Sequence, residues 1–288
     1  AGLTGRPGFE GVVNGEGHSS IRARWIASPK TCFVQIGDVF DRSDHGEVAA
    51  EILRQLIIDA PDRVFTLVGN HEQFMLEDDF DSWQMNEIRN AVTDYRDMGD
   101  DWKGRHLRFL GTENLETNDR MKLVFAAYTQ STRLLYLTQA AAQQEALGID
   151  HGLNKEEVDA ILSPGWAPYL CADSIATKFE KLSKSFPGAT VALVLGDTLF
   201  HHAEPDHRPP KKGQVKHRLP EEMKWASKPD FGWVNYTHGG GDIQKSPHST
   251  LLWPRGASNG AASGAPQAHS LLSEISTHWP GLYRIVHG

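Results

Sequence analysis

Three short stretches carry side chains that together can bind a divalent metal and a phosphate. They are Gly37-Asp38-Val39-Phe40-Asp41-Arg42, Gly69-Asn70-His71-Glu72 and His201-His202. Asp38 offers hard carboxylate oxygens, Asn70 an amide oxygen and His202 a ring nitrogen. Such a mixed oxygen and nitrogen set suits manganese, iron or zinc better than calcium. A central carboxylate can bridge two ions, and a two-metal site clamps an in-line displacement at phosphorus. Arg42 and Arg255 carry the planar fork that grips phosphate oxygens in pairs. His71 with Asp41 makes a proton donor and its orienter. The carboxylate fixes the ring and favours its charged form, which can donate to a leaving alkoxide.

These residues need elements to hold them. Residues 31–36 form an apolar run that reads as a buried strand leading into Asp38. Residues 46–58 read as a helix, with Val48, Ile52 and Leu56 on one stripe. Residues 63–68 read as the next strand and run straight into Asn70. This order implies a parallel pair with a right-handed crossover. The chemistry then lies at the carboxyl ends of neighbouring strands, where open α/β sheets hold ligands. Residues 190–195 form another apolar strand, turned by Gly196-Asp197-Thr198 into a strand over 199–204 that carries His201 and His202. Residues 282–286 read as a last strand.

The remainder is less regular. Residues 1–20 read mostly as loop, and 21–26 as a short strand or a turn of helix. Helices are expected over 74–96, 123–147, 155–162 and 174–186, with Asn154 capping the third. The block 75–190 is read as a helical insertion or cap; ordinary packing helices of the same domain are the alternative. Residues 205–220 form a polar loop, 256–266 a Gly/Ala/Ser-rich stretch and 270–278 a short helix, with no internal repeat.

Size and charge bound the function. A chain of 288 residues suits one domain with a sizeable core. A net charge of −8 argues against general nucleic-acid binding. No apolar run is long enough to span a membrane. Two cysteines, Cys32 and Cys171, make no disulfide framework and favour a reducing, cytoplasmic setting.

The motifs GDVFDRSD, GNHEQFML and LGDTLFHHAEPDH resemble those of the calcineurin-like metallophosphoesterases, in their phosphoprotein phosphatase branch. The approach to the first motif, Arg24-Trp25-Ile26 and then Cys32 to Asp38, is most similar to the Shewanella-like protein phosphatases. Gly69-Asn70-His71-Glu72-Gln73 also resembles the lambda-type phosphatases, and Leu252-Trp253-Pro254-Arg255 their Trp-x-Arg phosphate element. The resemblance covers strands and loops but little of residues 75–190. It implies an α/β fold, a mixed β-sandwich flanked by helices, and two divalent metal ions, manganese first, with iron and zinc as the other choices. It implies that Asp38 bridges both metals and that Asn70 and His202 bind the second. His71 becomes the leaving-group acid paired with Asp41, and Arg42 and Arg255 hold phosphate.

Two family motifs have no match. The Asp-x-His of the first strand is not present, and the chain stops at Ile285-Val286-His287-Gly288, where a Gly-His-Thr motif is expected. The favoured account is a domain incomplete at both ends. Its rival is a variant site in which Glu16 and His18 supply the first metal.

The resulting expectation is a metal-dependent phosphomonoesterase acting on phosphoserine or phosphothreonine, by direct in-line attack of metal-bound hydroxide. The alternatives are a dinucleoside polyphosphate hydrolase or nucleotidase of the same fold, and an inactive phosphoprotein-binding module. The partner is a phosphorylated protein or a small phosphoester, with no nucleic acid and no membrane. Asp197 is read as a turn residue, His201 as structural or a group supporting the site, Glu72 as a helix-start carboxylate or a supporting group, and Cys32 as buried and inert. His207, His217, Lys211, Lys212, Asp44 and His45 are read as solvated loop, and the His238–Asp242 stretch as either a metal or anion loop or a flexible Gly turn.

Overall fold

A computed structural model describes residues 9–12, 22–40, 46–83, 117–147, 154–162, 189–203, 224–225, 231–236, 281 and 284–287. β1 (Phe9–Val12) and β2 (Arg22–Trp25) form an antiparallel ribbon. The 1–20 stretch is therefore not all loop, and 22–25 is strand rather than helix. A Gly-rich segment without alternation gives little warning of a strand whose partner supplies the pairing.

β3 (Phe33–Gln35) and β4 (Val64–Thr66) pair in parallel, with α1 (Gly46–Asp59) between them in sequence, as the β-loop-α-β order implies. β4 is fully buried, whereas β3 is only half-buried and Cys32 before it is exposed. The expectation of a buried first strand, and of a buried Cys32, is corrected on this point. On α1, Leu56 is buried and Ile52 partly so. Two of its polar side chains tie it to β2: Gln55 Oε1 accepts from Ala23 N–H and Asp59 Oδ2 from Trp25 N–H.

The second sheet has the order β7-β8-β5-β6-β9. Its strands are β5 (Thr190–Leu195), β6 (Thr198–His201), β7 (Lys224–Trp225), β8 (Phe231–Asn235) and β9 (Arg284–Val286). All its pairs are antiparallel except β6 with β9. The turn between β5 and β6 is held by Asp197, which accepts from the Thr198 hydroxyl and lies 3.7 Å from Arg284 Nε. Among the described residues the β3–β4 pair meets this sheet at a bridge where Leu67 lies parallel to Thr190 and Val68 N–H donates to Thr190 O.

The helix expected over 74–96 is broken: α2 (Asn70–Leu76) starts earlier and stops before a turn at 77–78, residues 80–83 are helical again, and 84–96 lie outside the described residues. Asp78, at φ +54, stops it in the left-handed region, where its carboxylate meets Arg133 at 2.7 Å. An Asp in that role, rather than a Gly, leaves little sequence signal. Every residue of α2 is buried, so it has no charged solvent face.

α3 (Thr117–Leu147) lies at the centre. Met121, Phe125, Tyr128, Leu135 and Ala142 join the core around α1, Phe74 and Trp83. Tyr136 joins the core under β5, and Leu137, Ala140 and Ala141 pack on Ile161. α4 (Lys155–Leu162) is capped as expected: Asn154 Oδ1 accepts from Glu157 N–H at 2.8 Å, and Glu157 Oε2 accepts from Asn154 N–H at 3.1 Å. Among the described residues no helix is long and apolar enough to cross a membrane. The helices expected over 174–186 and 270–278 lie outside the described residues.

Candidate metal and phosphoester site

β3, β4 and β6 each end at one edge of the assembly, and the residue types singled out above meet there. β3 leads through Ile36 and Gly37 to Asp38, β4 leads through Gly69 to Asn70 and His71, and β6 leads into His202. The crossing of the first two turns is possible only because both carry glycine. A Cβ on Gly37, whose φ is +93, would lie 2.5 Å from Gly69 Cα and 2.7 Å from His202 Nδ1. A Cβ on Gly69 would lie 2.4 Å from Asp38 N. Asp38 itself sits at φ +56, a conformation that Asp tolerates better than most residues.

Glu72 locks the crossing. It is fully buried, and its two oxygens accept four backbone N–H groups. Oε2 takes Asp38 at 2.7 Å and Gly69 at 2.8 Å; Oε1 takes Val39 at 2.7 Å and Phe40 at 3.2 Å. That fills the acceptor capacity of an ionised carboxylate. Burial first, and the Asp38 charge second, push its carboxyl above the ordinary value, while the backbone donors pull it back. The sequence left Glu72 between a helix-start carboxylate and a supporting group; in the fold it does both.

His202 is oriented by the backbone. Its Nδ1 lies 2.7 Å from Ile36 O, a contact that places the ring proton on Nδ1. The Nε2 lone pair then faces Asn70 Oδ1 at 2.9 Å and Asp38 Oδ2 at 3.4 Å. A nitrogen lone pair facing an amide oxygen and a carboxylate oxygen is a donor set that a divalent ion would join. Atoms that ligate one ion at about 2.1 Å stand roughly 3 Å from each other. The three residues therefore fit a shared divalent ion, with His202 held from behind by a carbonyl as metal-binding imidazoles commonly are. His71 is buried beside them. Its backbone N–H donates to Asp38 Oδ1 at 3.2 Å, its ring Nε2 lies 3.9 Å from Asp38 Oδ2, and its ring meets Phe74 edge-on.

Asp38, Asn70, His71 and His202 are thus brought together. Asp41, Arg42, Arg255, Glu16 and His18 lie outside the described residues, as do Asp44, His45, His207, His217, Lys211, Lys212 and the His238–Asp242 turn. Among the described residues no group of three or more His, Cys, Asp or Glu side chains converges as a metal site; the trio above depends on an asparagine. His201 takes a different place from His202. It is fully buried, its Nδ1 contacts Ala203 O, and its ring stacks on His287. Burial drives its pKa down to about 3, so it is a neutral core residue.

A strand–turn–helix carrying Asp, a second strand carrying Asn-His, and a histidine delivered by a separate sheet define the class of metal-dependent phosphoester hydrolases. The family model for calcineurin-like phosphoesterases matches residues 22–238, and the chain belongs to that family. Its members hydrolyse phosphoester bonds and generally use two divalent metal ions. Searches of curated proteins and of solved structures return no match.

Proposed function

We propose that this chain is a phosphomonoesterase of phosphoserine or phosphothreonine in proteins, with manganese as the preferred metal. The observation that carries the reading is His202 Nε2 facing Asn70 Oδ1 and Asp38 Oδ2 with its Nδ1 already engaged. The protein substrate is supported by the motif resemblance to the phosphoprotein phosphatase branch. Asp38, Asn70 and His202 would hold a divalent ion, with Asp38 central. Bound metals supply Lewis-acid polarisation of the phosphoryl oxygens and lower the pKa of water. Arg42 and Arg255 would grip the remaining phosphate oxygens. His71, oriented by Asp41, would give its proton to the leaving alkoxide. No side-chain nucleophile is assigned, so no phosphoenzyme forms. The free thiol of Cys32 and the low cysteine count support a reducing compartment.

The test combines metal stoichiometry with hydrolysis of an aryl phosphate, a phosphopeptide and a dinucleoside polyphosphate in manganese. Turnover that favours the phosphopeptide and is abolished in Asp38→Asn is the expected result. Preference for the dinucleotide would move the reading to a small-molecule phosphohydrolase. Phosphopeptide binding without turnover would make the chain a binding module. Turnover unchanged in Asp38→Asn would remove the site assignment.

A further inference from the structure

One edge of β4 pairs with β3: Phe33 N–H donates to Arg63 O and Leu67 N–H to Gln35 O, both at 2.8 Å. At Val64 the opposite edge meets no strand among the described residues, and at Thr66 β5 is only beginning, because its first residue, Thr190, bridges to Leu67. Side chains of α3 take that edge instead. Gln139 Oε1 accepts from Thr66 N–H at 2.7 Å and its Nε2 donates to Thr66 O at 2.9 Å. Gln143 Nε2 donates to Val64 O at 3.0 Å, and the Tyr136 hydroxyl donates to Leu67 O at 2.9 Å. Positions 136, 139 and 143 share one helix face. Seven residues of helix rise about 10 Å, and three steps of strand cover about the same distance.

The device is repeated one strand over. Gln35 Nε2 donates to Gly37 O at 2.5 Å, and its Oε1 accepts from Gly37 N–H at 2.9 Å. The same Oε1 accepts from the Thr66 hydroxyl at 2.8 Å. A glutamine amide is free to flip in isolation, but a hydroxyl and an N–H on one atom settle which end is oxygen. Contacts therefore lead from Gln139 to the Thr66 main chain, and from the Thr66 hydroxyl to Gln35 and on to Gly37, the residue before Asp38.

We infer that Gln35 and Gln139 are positioning residues for Asp38, through which the central helix holds the left-handed turn at Gly37 and Asp38. The inference rests on Asp38 as a metal ligand. It places a control on the site in α3, within the block that the family motifs do not cover.

The experiment compares Gln35→Leu, Gln139→Leu and Gln143→Leu with the parent chain. Manganese alone is titrated calorimetrically, unfolding is followed thermally, and amide exchange is read at Gly37. Gln35→Leu and Gln139→Leu should weaken manganese binding by about tenfold or more. Both should lose protection at Gly37. Gln143→Leu, which breaks an equivalent bond at the far end of β4, should lower thermal stability without changing either readout. Parent-like manganese affinity in Gln35→Leu, or equal weakening in Gln143→Leu, would overturn the inference. If the parent chain binds no manganese, the metal reading fails, and protection at Gly37 alone decides: unchanged exchange in Gln139→Leu would refute the connection.

Discussion

The carboxylate of Glu72 accepts the backbone N–H of Asp38 at 2.7 Å, joining residues 34 positions apart in sequence. The contact holds the two turns in register, because the same carboxylate also takes Gly69 N–H. Asp38 and Asn70 approach one another through this buried side chain.

Replacing Glu72 with Gln keeps the volume and removes the match. The new NH₂ would face two backbone donors, leaving both unsatisfied. Each such buried group costs about 1–3 kcal/mol, so Glu72→Gln should lose at least about 2 kcal/mol of stability. Urea unfolding of the metal-free chain measures this. A midpoint equal to the parent's would show that the four bonds contribute nothing to the fold.

Gly37→Ala should be worse than Gly196→Ala. Both glycines have positive φ, but a Cβ on Gly196 meets nothing within 4 Å, whereas one on Gly37 meets the Gly69 backbone at 2.5 Å. Strain alone costs about 1–2 kcal/mol, and overpacking adds about 1–3 kcal/mol. Denaturation midpoints of the two variants give the difference. Equal losses would mean that the turns do not cross as described.

The adjacent histidines should separate by readout. His201→Ala opens a cavity in the core and should cost about 2–4 kcal/mol of stability. His202→Ala should cost less stability and most of the manganese affinity. Calorimetric titration beside thermal unfolding tests the pair. Parent-like manganese binding in His202→Ala would exclude it as a ligand.

Cys32 is exposed, yet its thiol should react slowly. Partial burial of the thiol raises its pKa first, the Asp62 charge adds to this, and Arg63 opposes it. A raised thiol pKa means less thiolate at neutral pH. Alkylation at pH 7.5 should therefore run slower than for a free cysteine and keep rising past about pH 8.5, where an unperturbed thiol is half ionised. Asp62→Asn should speed it modestly. A rate that levels off below pH 8.5 would contradict the shift.

The sequence by itself determined the strands at 33–35, 64–66 and 190–195, the parallel pairing of the first two and the Asn154 cap. Each depends on local signals: apolar runs, turn residues and a side chain that reaches its own helix. It also singled out Asp38, Asn70, His71 and His202 as residues of the right chemistry at strand ends.

Tertiary structure alone decided what surrounds them. Nothing local shows that Glu72 would gather four N–H groups from two turns, or that Gln139 would meet Thr66 across 73 residues. The available hints were weak: Gln35 is a polar residue inside an apolar strand, and 140–146 is rich in Ala and Gln. The half-burial of β3, the pairing of β1 and the end of α2 at Leu76 were likewise set from outside each segment. Burial and backbone pairing depend on what the rest of the chain places alongside, and a side chain's type does not name its distant partner.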